Sequence, residues 1–195
     1  CHCKINWDIR FVEHHLSHAA MAYFTSPFEN AAVLVVDAVG ENATTSLFKA
    51  SGYKIESIKQ QSFPNSVGLL YSAFTYFLGF QVNSDEYKVM GLAPYGNIDA
   101  KQTQRFINII KTKLVSIGDD GSIIINQKYF TFMVGQRMVD DHMWTKLFGI
   151  AKRETNAPIR TEHKNLAIAI QNVIEEIFLK LATHIKSLTQ CNNLC

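Results

Sequence analysis

With 195 residues, 47 % of them hydrophobic, and a mean hydropathy of −0.01, the chain can bury one good-sized domain or two small lobes, and its composition excludes disordered and collagen-like classes. Its 19 basic and 17 acidic side chains leave a formal charge of +2, so neither nucleic acid nor an anionic membrane is expected as a partner. The sequence contains no apolar stretch of spanning length and no signal-type segment, which makes the cytoplasm the default expectation.

In chain order, Trp7 to Val12 reads as a short strand, and Leu16, Ala19, Ala20 and Tyr23 then recur at helical spacing until Ser26-Pro27 provides a stop. The start of that helix carries Glu13-His14-His15-Leu16-Ser17-His18. On a helix His14 and His18 stand at i and i+4, so one metal ion could reach both, while His15 lies on another face as a structural residue or a neighbour of the ligands. Ala32 to Val36 is an apolar run of strand length that ends on Asp37. A turn follows, Gly40-Glu41-Asn42-Ala43, and then two hydroxyl residues, Thr44 and Thr45. Thr45 to Ala50 and Tyr53 to Ser62 read as further strands, and three strands joined by short turns make an antiparallel meander.

Ser66 is the expected cap of a helix whose apolar face, Leu69 to Leu78, ends at Gly79. Val82 to Asn97 crowds polar residues, glycines and a proline, and reads as a surface loop with a binding role in which Glu86 and Lys88 are the charged candidates. Gln102 to Val115 is expected to be an amphipathic helix, Gly121–Asn126 with Lys128–Val134 a hairpin, and Arg137 to Phe148 another helix. Glu162 to Leu188 carries the clearest helical stripe in the chain. Cys1, Cys3, Cys191 and Cys195 fit no familiar zinc spacing, so reduced thiols are expected. A start on Cys1 and a strand-like Asn193-Leu194-Cys195 at the end suggest a piece of something longer.

Four blocks in order, Glu13-His14-His15-Leu16-Ser17-His18-Ala19-Ala20, Val36-Asp37-Ala38-Val39-Gly40-Glu41 with Thr44-Thr45, Ser66-Val67-Gly68-Leu69-Leu70-Tyr71, and Asn83 to Gly96, resemble the carbamoyltransferase family of nodulation protein U and the antibiotic O-carbamoyltransferases. The resemblance implies an α/β, ribonuclease H-like lobe of the actin and sugar-kinase superfamily. Residues 1–25 would be the tail of a preceding lobe, and residues 26–195 a lobe truncated before the adenosine motif. It also implies transfer of a carbamoyl group from carbamoyl phosphate, through an ATP-derived carbamoyl adenylate, to a hydroxyl or amine of a small-molecule acceptor. His14, His18 and Asp37 would hold a divalent metal, iron or zinc, with a further acidic ligand supplied downstream. Gly40, Glu41, Thr44, Thr45 and Lys88 are the expected nucleotide-binding residues. Ala38 stands where many relatives carry glycine. The alternative is a ribonuclease H-like module that binds a nucleotide or partner without catalysis, and a zinc hydrolase is disfavoured because His15 replaces the glutamate expected after the first histidine.

Overall fold

The computed structural model describes residues 9–135 and 137–195. Its central feature is a three-stranded antiparallel sheet of β1 (Asn30–Gly40), β2 (Ala43–Ser51) and β3 (Lys54–Ser62), in the order in which they occur in the chain. The expected meander is therefore present, and its register pairs Ala32 with Lys49, Leu34 with Leu47 and Val36 with Thr45. Regular pairing lapses between Val36 and Gly40, and such a bulge re-aims the side chains at the end of a strand.

Because strand side chains alternate, each strand feeds two cores. Ala31, Val33 and Val35 of β1 join Phe48 and Ala50 of β2 on the face covered by α1 (His14–Phe24), which contributes Ala19 and Tyr23. Ala32 and Leu47 face the opposite way, into the larger core built by α2 (Val67–Phe77), α3 (Glu86–Leu92), α4 (Lys101–Ile109), α5 (Asp141–Phe148) and α6 (Thr161–Thr189). The aromatic part of that core is a cluster of Phe74, Phe77, Trp144 and Phe148, in which Phe74 and Trp144 lie 4.8 Å apart at their ring centres. The buried Trp144 indole satisfies its N–H by donating to the Tyr129 carbonyl at 2.8 Å, as a buried polar group requires.

Helix α6 runs past the sheet and buries Ile170, Val173, Ile177 and Leu181. Its C-terminus returns the chain to β1. Asn193 and Cys195 carbonyls accept from the Ala32 and Leu34 amides at 2.9 Å, the Cys195 amide donates to Ala32, and Leu194 bridges Ala32 in parallel. The strand-like reading of Asn193-Leu194-Cys195 is thus realised at the outer edge of β1. Cys191 and Cys195 are free, half-buried thiols, and Cys1 and Cys3 lie outside the described residues.

Several expectations need correction. Residues 9–12 form no strand, and Trp7 lies outside the described residues. Val82 to Asn97 is not an open loop: α3 and a 3-10 turn at Ala93–Tyr95 occupy it, because Val89, Leu92 and Ala93 are buried against the core. The helix expected to reach Val115 passes into a π-helical turn at Ile110–Leu114. The chain then turns extended, so that β4 (Val115–Ile117) pairs with β5 (Ile123–Ile125). Lys128–Val134 is consequently not the partner of that strand, and α5 begins at Asp141 rather than Arg137, capped by the Asp140 carboxylate accepting from the Met143 amide.

Candidate metal centre and adjoining cleft

Helix α1 buries His15, Ala19 and Tyr23 against the sheet, a spacing of i, i+4, i+8 that turns His14 and His18 toward one margin of that face. Asp37 stands on the same side of β1 as Val33 and Val35, two residues further along the alternation, and so meets α1. The His14 Nε2 and Asp37 Oδ2 atoms are 2.8 Å apart, the two Nε2 atoms of His14 and His18 are 3.0 Å apart, and His18 Nε2 lies 3.8 Å from Asp37 Oδ2. One proton on His14 can serve Asp37, and the close approach of His18 is then left without a donor of its own. A cation would receive lone pairs from all three atoms. Tetrahedral zinc, with ligands at roughly 2.0–2.1 Å, needs donor separations of about 3.3 Å, which these contacts bracket. Two imidazoles and a carboxylate also suit ferrous iron, so the donor set fits either metal.

The sequence positions the centre from below. Gly40 is buried beneath the histidines: a Cβ there would lie 2.5 Å from His14 Cδ2 and 2.7 Å from His15 Cδ2. Asp37 is pinned at both ends of its residue. Its Oδ1 accepts from the Ala38 amide at 2.7 Å, while Ser66 caps α2 and donates to the Ala38 carbonyl at 2.6 Å. Burial pushes the Asp37 carboxyl up, but the Ala38 amide and His14 together outweigh it and hold it below the usual range. His15 is 3 % exposed and shares a 2.7 Å hydrogen bond with the Ser46 hydroxyl through Nδ1, its Nε2 finding no partner. Burial pushes its pKa down, which keeps it neutral. It is thus the residue that fastens α1 to β2.

The other sequence-picked residues divide. Glu41 sits exposed at the hairpin tip in a left-handed conformation, φ 61°. Thr44 is fully buried and donates to the Asn65 carbonyl at 2.6 Å, and Thr45 is buried on the α6 side of the sheet. Lys88, on the exposed face of α3, pairs with Asp85 at 2.9 Å. Glu86 does enter a site. A cleft of about 630 Å³ runs from Asp37 and Ala38 past Val67, Gly68 and Tyr71 to Glu86, Met90, Glu175 and Phe178.

Gly68 belongs to the Ser66-Val67-Gly68-Leu69-Leu70-Tyr71 block. A Cβ on it would come within 2.7 Å of the Ala38 Cα, so the tight backbone approach falls to Gly68 and not to residue 38. Ser46, Gln171 and Glu175 carried no recognisable signal, because each is brought in from an element remote in sequence.

The unit is mixed α/β, and its two-histidine, one-carboxylate cluster has Asp37 at the edge of a cleft. The model of the carbamoyltransferase N-terminus matches residues 1–195, and the chain belongs to that family. It is 41 % identical over 195 residues to an uncharacterized protein of Synechocystis, covering all of this chain and 31 % of that protein. It is 32 % identical over 187 residues to nodulation protein NolNO of Sinorhizobium fredii, and 29 % identical over 187 residues to nodulation protein NolO of Bradyrhizobium diazoefficiens. Those matches cover 95 % and 94 % of this chain and 25 % and 30 % of the relatives. The chain thus spans between a quarter and a third of the length of these relatives.

Proposed function

We propose that the whole protein transfers a carbamoyl group from carbamoyl phosphate, through an ATP-derived carbamoyl adenylate, to a hydroxyl or amine of a small cytoplasmic molecule, and that this chain supplies the metal-binding end of the site. The observation that carries the reading is the convergence of His14, His18 and Asp37 at the mouth of a cleft. A sheet of three antiparallel strands with a parallel segment added beside β1 is compatible with a ribonuclease H-like lobe. Residues 1–25 belonging to a preceding lobe and 26–195 to this one is the corresponding division. Among the described residues no helix is long and apolar enough to cross a membrane.

In this reading His14, His18 and Asp37 hold divalent iron or zinc, and the bound ion supplies charge neutralisation and orientation of phosphate oxygens. The chain's own residues do the rest of the positioning. Ser66 fixes the backbone of Asp37 and Ala38, so the carboxylate is set before any ligand arrives. The first turn of α2 lines the cleft with Val67 and Gly68 and turns the positive end of an 11-residue helix toward an anionic group. Gly40 lets α1 approach closely, and the exposed Glu41-Asn42 turn that follows it is where the backbone would meet a nucleotide phosphate.

The test is turnover by the full-length protein. Incubated with carbamoyl phosphate and ATP, it should release pyrophosphate only when both are present, lose that activity on chelation, and recover it with ferrous iron or zinc. Acceptors omitted and then added one at a time would identify the hydroxyl or amine. Nucleotide binding with no pyrophosphate release under any metal would favour a non-catalytic module instead.

A further inference from the structure

The imidazoles of the metal centre are held by little of their own. His14 and His18 are 42 % and 45 % exposed at their side chains, and among the described residues their ring nitrogens engage one another and Asp37 and nothing outside the cluster. A ligating histidine is ordinarily steered by a partner on its other ring nitrogen. Without such a partner, the direction of each ring is set by the backbone that carries it, and so by how α1 sits on the sheet.

Helix α1 is tied down at two points. At its C-terminal end the Tyr23 hydroxyl donates to the carbonyls of Glu29 and Gly52, at 2.7 and 3.1 Å. At its N-terminal end Glu13 supplies no side-chain cap, and the polar tie is the 2.7 Å hydrogen bond between His15 Nδ1 and the Ser46 hydroxyl, both residues being buried. The two ties stand eight residues apart, about 12 Å along the helix axis, and between them the buried Ala19 contributes only a methyl group. Ser46 lies opposite Val35 in the register of β1 with β2, one step of the alternation short of Asp37. The tie therefore joins α1 to the sheet beside the carboxylate that completes the cluster.

We infer that Ser46 is a positioning residue for the metal centre: through His15 it fixes the height and rotation of the ligand-bearing end of α1 over β1, and so sets the spread of His14 and His18 about Asp37. This role rests on the metal reading above. Without the Ser46 hydroxyl, His15 Nδ1 would be left unpaired in the core, and because Nε2 has no partner either, the ring would keep no hydrogen bond at all. An unsatisfied buried polar group favours any movement that lets it reach water. Here that movement is a lift of the first turns of α1, which carries His14 and His18 away from Asp37.

The test uses the full-length protein loaded with cobalt(II), whose visible absorption reports the geometry of its ligands. Ser46→Ala and Tyr23→Phe each remove one hydroxyl from a tie of α1, and each should lower the melting temperature of the metal-free protein by a similar amount. Only Ser46→Ala should shift the cobalt absorption bands and weaken cobalt binding, by about threefold, less than the loss of a partner bonded directly to a ligand would cost. Should Ser46→Ala not fold, Ser46→Cys keeps the shape of the side chain with a weaker donor and carries the same comparison. A parent-like spectrum and affinity in the Ser46 variant, or equal changes in it and in Tyr23→Phe, would overturn the inference, since a bond that is only structural moves stability and leaves ligand geometry alone. A parent that binds no cobalt would be a different failure: it removes the metal reading itself, and the positioning role with it.

Discussion

Substituting alanine for Gly40 tests the centre through packing and leaves its ligands in place. The added Cβ would meet His14 Cδ2 at 2.5 Å, His15 Cδ2 at 2.7 Å and His15 Nε2 at 2.9 Å, each inside van der Waals contact. His14 is exposed and could swing away, but His15 is buried and tied to Ser46, so α1 must lift or the end of β1 must shift. Over-packing of this kind costs about 1–3 kcal/mol, and either movement separates His14 and His18 from Asp37. Gly40→Ala should therefore lose stability in urea unfolding and also bind zinc or ferrous iron at least tenfold more weakly in calorimetry. Gly52→Ala is the control. Its position meets nothing within 4 Å but has φ +58°, so it should cost about 1 kcal/mol of strain and leave metal affinity unchanged. A Gly40→Ala protein as stable as the parent and with full metal affinity would refute the placement of α1 over the end of β1.

His14→Ala and His18→Ala should each weaken metal binding by about 10- to 100-fold and His15→Ala far less, since His15 makes its contact with Ser46; equal losses at all three would remove the assignment. Ile177→Ala should destabilise by ~2–5 kcal/mol because Ile177 is fully buried on α6, whereas Lys180→Ala should stay within about 0.5 kcal/mol, both read from denaturant midpoints. His163 is buried, accepts from the Arg160 amide through Nδ1, and has its pKa pushed below 6.5 by burial. Its stabilisation is complete above pH 6.5 and is lost as pH falls from there toward its folded value. Glutamine at position 163 should flatten that part of the stability-against-pH curve, and an unchanged slope would contradict the account.

Much of the fold was legible where one local rule governs a whole element. The apolar run of β1 has strand length, the stripes of α1, α2 and α6 each obey a single period, and Ser66 is a cap recognisable from its neighbours. The convergence of His14, His18 and Asp37 was legible for the same reason, a helical i, i+4 pair and an acid closing an apolar strand. Illegible features depend on which elements meet. Sequence order makes Lys128–Val134 the natural partner of the 123–125 strand, yet the partner is Val115–Ile117, which follows the π-helical turn after α4. Thr44 and Thr45 follow a glycine turn, a place that suggests phosphate, but their burial is set by packing: the Thr44 hydroxyl is buried and donates to the Asn65 carbonyl. Glu86 and Glu175 lie on separate helices and converge only through packing.

The pairing of Asn193–Cys195 with β1 also guards the protein against itself. Without those residues the Ala32 and Leu34 amides and the Ala32 carbonyl would be open along Ala31-Ala32-Val33-Leu34-Val35-Val36, a flat apolar strand whose hydrogen-bonding edge would then accept any extended chain. A variant trimmed at those positions would be prone to sheet-to-sheet association between molecules, and the residues recruited would lie on the strand that carries Asp37.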